Sequence, residues 1–200
     1  ELMKMTMAEF PGVPYVLFGH AMGSFMARTI LAKYRDSGIS AAVISGTAWQ
    51  PKAALPALIK ILDSIGKKSG EEQPNEKLDK LIFGGYNNKI KNARTPKDWL
   101  TRDETVVDDY VADPLCGFVA STGLLRDMMT GIYYIERTGN LANMKKTLPV
   151  FFVAGEEDPV GSYGAGVRQA AKMFKKSGMI NVALKLYPGC RHEVLNELNK

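Results

Sequence analysis

The chain has 200 residues, 46% of them hydrophobic and 24% charged, with a formal net charge of +5. This composition fits one globular domain or two small ones and excludes a disordered chain; no apolar run reaches ~18 residues, which excludes a membrane-spanning helix, and the acidic, interrupted N-terminus is not a signal peptide. The excess lysines fall in scattered pairs (Lys67-Lys68, Lys145-Lys146, Lys175-Lys176), a pattern of solvated helix faces and not of a nucleic-acid footprint, and their sign leaves room only for weak attraction to anionic lipid surfaces.

In chain order, residues 1–10 read as the tail of an amphipathic helix with Leu2, Met5 and Phe10 apolar, stopped by Pro11-Gly12-Val13-Pro14. Tyr15-Val16-Leu17-Phe18 is an uninterrupted apolar run suited to a central parallel strand buried on both faces. A sharp turn from Gly19 to Gly23 leads into a helix from about Ser24 to Tyr34, and Ala41 to Ser45 forms a second buried strand ended by Gly46. Leu148 to Ala154 is a third strand closed by Gly155; a helix spans Gln169 to Lys176 with Gly178 as its C-terminal cap, and Val182 to Tyr187 is a fourth strand. Strands alternating with helices predict an α/β fold with a mostly parallel sheet.

The 103 residues from Gly46 to Leu148 far exceed a βαβ unit of ~30 or more residues, so most of this stretch is expected to be an insertion. Leu55, Leu58, Ile59 and Leu62 recur at helical spacing, a polar hinge runs from Gly70 to Asn75, and Leu124, Met128, Met129, Ile132 and Tyr133 follow. Such Met and aromatic positions suit core packing and also an adaptable apolar binding surface. The division expected is a core segment over 1–48, a helical cap over 49–146 and a second core segment over 147–200. Four strands with a raw edge invite aggregation, so the sequence reads as a piece of a longer chain that lacks earlier strands and stops at Lys200 in the first turns of a closing helix.

The strongest chemical signal is Phe18-Gly19-His20-Ala21-Met22-Gly23-Ser24. It follows a strand, opens a helix and carries glycines two residues either side of Ala21, the pattern of the G-x-S-x-G nucleophile elbow with alanine where serine belongs. The strained turn is expected to need neighbours without side chains. The third strand runs into Gly155-Glu156-Glu157-Asp158-Pro159 and the fourth into Pro188-Gly189-Cys190-Arg191-His192-Glu193. A carboxylate and a histidine therefore sit beyond the carboxyl ends of strands, where open α/β sheets bind ligands. Their order after position 21 is that of α/β-hydrolases. Glu156 and Glu157 compete with Asp158 for the acid position, Glu193 reads as solvent-facing, His20 as packing beside the turn, and Cys190 as a spare thiol. Two cysteines, Cys116 and Cys190, are too few for a disulfide framework or for a zinc site alone, so a reduced, cytoplasmic setting is expected, with no metal or organic cofactor.

On these residues the chain resembles the serine aminopeptidase, monoacylglycerol lipase and lysophospholipase branch of the α/β-hydrolases. The resemblance also takes in Val43-Ile44-Ser45-Gly46-Thr47, Phe83-Gly84-Gly85-Tyr86-Asn87 and Trp99-Leu100-Thr101-Arg102-Asp103, and it spans nearly the whole sequence. It implies an α/β-hydrolase fold with a helical cap at the long insertion. It places Ala21 at the nucleophile position, Asp158 as triad acid, His192 as general base and the Met22 N–H as one oxyanion donor; the second donor belongs to a region before residue 1. It implies a hydrolase of carboxylic esters such as monoacylglycerols or lysophospholipids, with a small-molecule or lipid ester as its partner, disabled by the alanine. A deliberate serine-to-alanine change is favoured over a natural acyl-binding pseudoenzyme, because a retired site need not keep an acid–base pair. The alternative activity is that of an aminopeptidase or amidase, for which Asp103, Glu104, Asp108 or Asp109 would hold a substrate amine. Oligomeric state is not legible.

Overall fold

The computed structural model describes residues 1–50 and 53–198. Helix α1 (Leu2–Glu9) precedes strand β1 (Tyr15–His20), α2 (Met22–Lys33) and β2 (Ile39–Ser45). Helices α3 (Ala54–Ser69), α4 (Glu76–Phe83), α5 (Glu104–Ala112), α6 (Thr122–Glu136) and α7 (Thr138–Ala142) come next. The chain then returns through β3 (Val150–Gly155), α8 (Ala165–Lys176) and β4 (Val182–Tyr187). The four strands form one parallel sheet in the order β1-β2-β3-β4. With helices packed against the sheet, this is the α/β-hydrolase fold. Among the described residues no helix is long and apolar enough to cross a membrane.

One face of the sheet makes the main core. Ala42, Ile44, Val150, Phe152 and Ala154 pack against Ala27 and Leu31 of α2 and against Val167, Ala170 and Phe174 of α8. Phe152 meets Phe174 edge to face at 5.0 Å, the geometry that aromatic quadrupoles prefer. The opposite face is different. Phe18, Val43, Phe151 and Ala183 stand in one register row across the sheet, and among the described residues nothing encloses them: Phe18 is 48% exposed and Val16 55%. The expectation that β1 is buried on both faces is therefore corrected, because α2 and α8 share one core cluster on a single face. Helix α1 is corrected as well. Its Leu2 and Met5, with the adjoining Phe10, face outward, while Met3 and Met7 pack against the core. Lys200, where a closing helix was expected, lies outside the described residues; the nearest element before it is a 3-10 turn at Val194–Asn196.

The helices between β2 and β3 build a second core. Leu55 and Leu62 of α3 pack with Leu125, Met129, Ile132 and Ile135 of α6, joined by Leu78 of α4 and by Phe25 of α2. Three starts are capped by side chains: Asn75, Asp103 and Ser121 accept from Leu78, Thr105 and Leu124 N–H respectively, satisfying donors that have no partner within the helix. A buried arginine ties the two cores. Arg28 of α2 is 1% exposed, and its Nη1 donates to Thr47 Oγ1 at 3.1 Å and to Ala48 O at 2.8 Å. Burial pushes its guanidinium down to about 10, opposed by Glu136 of α6. Glu136 in turn accepts from Gln50 N–H at 2.7 Å, so the chain leaving β2 is held on both sides.

Phe152 has no exposed surface and anchors the sheet to α8. Phe152→Ala is expected to destabilise the protein by about 3–5 kcal/mol through lost burial and a residual cavity. Urea unfolding measures this directly, and a loss under about 1 kcal/mol would mean that the core is not packed as described.

Candidate active site

At the exit of β1 the backbone turns sharply into α2. Ala21 has φ 51° and ψ −121°, a region that side-chain-bearing residues rarely occupy and that costs on the order of 1–3 kcal/mol. Its N–H donates to Ser45 O at 3.0 Å on the neighbouring strand, which holds the turn in place. Gly19 is required by close approach, since a Cβ there would lie 2.4 Å from Gly23 O and 2.8 Å from Ala27 Cβ. The matching expectation for Gly23 is corrected: a Cβ at Gly23 meets nothing within 4 Å, so that side of the turn is open among the described residues. Met22 is the first residue of α2; its N–H belongs to the turn that has no acceptor inside the helix, at the positive end of the helix dipole.

The loops after β3 and β4 meet beside this turn. Glu156 and Glu157 are exposed, whereas Asp158 is fully buried. Asp158 Oδ2 lies 3.0 Å from His192 Nδ1, and Oδ1 accepts from Val160 N–H at 2.9 Å. An ionised carboxylate can only accept, so Nδ1 carries the shared proton, and in the neutral imidazole Nε2 keeps a free lone pair. Two main-chain bonds lace the loops together: Glu156 N–H donates to Tyr187 O at 3.0 Å and Glu157 N–H to Cys190 O at 2.9 Å. Glu193 is half-buried, and Asn196 Nδ2 donates to its carboxylate at 2.8 Å.

His192 is 3% exposed and flanked by two rings, His20 at 4.7 Å and Trp99 at 5.2 Å between centroids. His20 Nδ1 lies 3.1 Å from Ser45 Oγ. Burial, helped by the neighbouring His192, pushes the His20 imidazole below its ordinary value against the pull of Glu193 and Asp158. Tyr86 packs edge-on against Trp99 at 4.9 Å, and burial raises its phenol to about 12. Gly46 makes room for the pair of histidines: at φ +57° a Cβ there would lie 2.8 Å from His192 Cε1 and 3.1 Å from His20 Cε1.

Ala21, Met22 and His192 all open onto a cavity of about 610 Å³ between the sheet and the helices α3 to α6. Leu55, Leu58, Ile82, Leu125, Met128 and Ile132 supply much of its apolar wall, and Gln50, Asp79, Tyr86, Lys97, Tyr110 and Ser162 its polar points. The acidic run considered for amine binding lies elsewhere. Asp103 caps α5, and Glu104 and Asp108 pair with Arg94 at 3.4 and 2.9 Å. The carboxylate that does line the cavity is Asp79, whose Oδ1 accepts from Ala120 N–H. Among the described residues, no group of three or more His, Cys, Asp or Glu is placed to hold a metal ion. Sequence reasoning missed Trp99 and Gly46 as neighbours of the histidine, and Tyr86 behind Trp99, although all three lie in segments that carried the family resemblance; Asp79 carried no signal.

The family model described as serine aminopeptidase, S33, matches residues 1–199. A monoacylglycerol lipase of Mycolicibacterium smegmatis is 27% identical over 98% of this chain. The chain spans 61% of that relative's length. Among solved structures, a thermostable carboxyl esterase from Bacillus coagulans, in complex with glycerol, superposes with a TM-score of 0.86 at 28% identity, covering 96% of this chain and 62% of the esterase. A lipase in an open form gives 0.82 at 29% identity, covering 98% of this chain and 63% of the lipase.

Gly46→Ala is expected to displace the His192 ring from Asp158, because both the Cβ and the positive φ are unfavourable there. Histidine-selective NMR on the alanine form will show a changed His192 environment with the fold retained; unchanged His192 resonances would contradict the packing described.

Proposed function

Because this chain belongs to the serine aminopeptidase S33 family of α/β-hydrolases, in the branch that includes monoacylglycerol lipases, we propose that its fold serves to hydrolyse carboxylic esters with apolar acyl chains, monoacylglycerols and lysophospholipids among them. The division of labour follows the sequence reading: residues 1–48 carry the strained turn, 49–146 form a helical cap and 147–200 carry the acid and histidine loops. The observation that supports the reading best is the buried Asp158–His192 pair at 3.0 Å, with His192 opening onto the same largely apolar cavity as Ala21.

With serine at position 21, Nε2 of His192 takes the hydroxyl proton as Oγ attacks the acyl carbon. Asp158 holds the imidazole in the required tautomer and stabilises the imidazolium that forms. The Met22 N–H donates to the developing oxyanion, where a preorganised dipole acts without reorganisation. His192 then returns its proton to the departing alkoxide, the acyl group stays on Oγ, and water, activated by the same histidine, releases the acid. Alanine at 21 stops this sequence at its first step, since a methyl group has neither a lone pair nor a proton to give. Loss of the nucleophile from such a triad costs on the order of 10⁶-fold in rate. The intact acid–histidine pair supports a serine-to-alanine change in an otherwise working site. The cavity wall, built from Leu, Ile and Met, supports an acyl chain longer than acetyl.

The test is hydrolysis of a p-nitrophenyl ester series by the full-length protein as the alanine form, as Ala21→Ser, and as Ala21→Ser with His192→Ala. Activity is expected only in the serine form, greatest for medium or long acyl chains, and lost again with His192→Ala. A folded serine form that is inert across the series, or that cleaves only acetyl esters or peptide N-termini, would overturn the proposal and point to an amidase, an aminopeptidase or a non-catalytic acyl binder.

A further inference from the structure

The segment Trp99-Leu100-Thr101-Arg102-Asp103 takes no part in the proposed reaction, yet it runs beside the loop that carries His192. Glu193 N–H donates to Leu100 O at 2.7 Å and His192 N–H to Trp99 O at 3.4 Å. Side chains cross the same seam in both directions. From the histidine loop, Arg191 Nη1 donates to the carbonyls of Asp98 and Thr101 at 2.7 and 3.0 Å. From the other side, Arg102 Nε donates to Glu197 Oε2 at 2.8 Å, and Thr101 Oγ1 donates to Asn196 O at 2.9 Å.

Glu197 is the centre of this seam. It is 1% exposed, and Oε1 also accepts from the N–H groups of Arg191 at 2.8 Å and Arg102 at 3.3 Å. A carboxylate removed from water needs its lone pairs filled by donors, and here the donors come from both strands of the seam. The pairing with Glu197 pushes the Arg102 guanidinium above its usual range. The segment is also fixed from behind: Trp99 N–H donates to Asn87 Oδ1 at 2.9 Å, and the Asp98 carboxylate accepts from the N–H groups of Arg94 and Thr95 at 2.6 and 3.1 Å. A stiff strip of the helical insertion is therefore bonded to the residue immediately before His192 and to the residue immediately after it.

We propose that Arg102 and Glu197 are positioning residues for His192, forming a clasp through which the segment between α4 and α5 sets the direction of Nε2. The inference rests on the reading of His192 as general base. Thr101 and Arg191 complete the clasp.

Two measurements test it. The chain has only two histidines, so long-range ¹H–¹⁵N correlation reads the His192 tautomer directly in the alanine form. The parent is expected to hold the Nδ1-protonated tautomer, whereas Arg102→Met and Glu197→Gln give a mixture while circular dichroism stays native. Arg102→Lys, which keeps the charge but not the Nε donor geometry, is expected to rescue only partly. In the Ala21→Ser background the same variants lose kcat on the order of tenfold to 10²-fold, with KM within about twofold. A lowered melting temperature with unchanged tautomer and unchanged kcat would assign the pair a merely structural role and overturn the proposal. Should the charge variants fail to fold, Thr101→Val removes the hydroxyl that donates to Asn196 O across the seam and accepts from Asp103 N–H within its own segment, and it is expected to shift both readouts in the same direction; no shift there overturns the clasp. A serine form inert toward esters would sink the proposed reaction, while the tautomer measurement would still decide the clasp.

Discussion

A buried carboxylate against a buried imidazole is the constraint on which the rest of the site depends. Asp158 has no exposed surface and His192 only 3%, so neither can rely on water for its hydrogen bonds. An unpaired carboxylate at that depth would be strongly destabilising. Asp158 is accommodated because one oxygen meets the Val160 N–H and the other the His192 ring. That arrangement requires two loops, far apart in sequence, to arrive together. The parallel order places β3 beside β4, so the loops leaving their carboxyl ends are neighbours by construction, and the bonds at Glu156 and Glu157 lock them. The strained turn after β1 reaches the same end of the sheet, where Ser45 O takes the Ala21 N–H.

The helical insertion is bonded to this framework and does not merely sit on it. At its start, Arg28 of α2 donates to Thr47 and Ala48, the residues that lead into it, and Glu136 of α6 holds the next turn of chain at Gln50. In its middle, the seam around Glu197 grips the histidine loop, and Lys89 lies over the Tyr163 ring, 3.5 Å from its centroid, on the acid loop. The apolar cavity is thus walled by helices whose connecting segments also contact the loops that carry Asp158 and His192. Such coupling lets one part of the chain provide both the apolar cavity wall and support for the proposed base, which the proposed reaction requires.

The sheet was legible because its strands carry apolar, β-forming residues even on the face left exposed among the described residues, and Val182–Tyr187 matched its sequence boundaries. Helix periodicity found α3 and α6, where burial follows the spacing of Leu55, Leu62, Met129 and Ile132. The α1 face was misread because three of its eight residues are methionines, so hydropathy could not tell Met3 and Met7, which pack inward, from Leu2 and Met5. The choice of Asp158 over Glu156 and Glu157 needed the family resemblance, since three adjacent carboxylates differ only in burial. Burial is set by the β3 to α8 connection and not by residue type. The clasp was hidden for another reason: Arg102 and Glu197 are 95 positions apart, and no local pattern links them.

In the proposed reaction a nucleophile belongs at position 21 and His192 activates it. Intact-mass and peptide mapping after treatment with a long-chain alkyl fluorophosphonate test this most directly, using the full-length protein as Ala21, as Ala21→Ser, and as Ala21→Ser with His192→Ala. One phosphonyl adduct is expected on the serine at 21, none on the alanine form, and strongly slowed labelling without His192. A folded serine form that takes no adduct, or takes it at another residue, would contradict the proposed reaction.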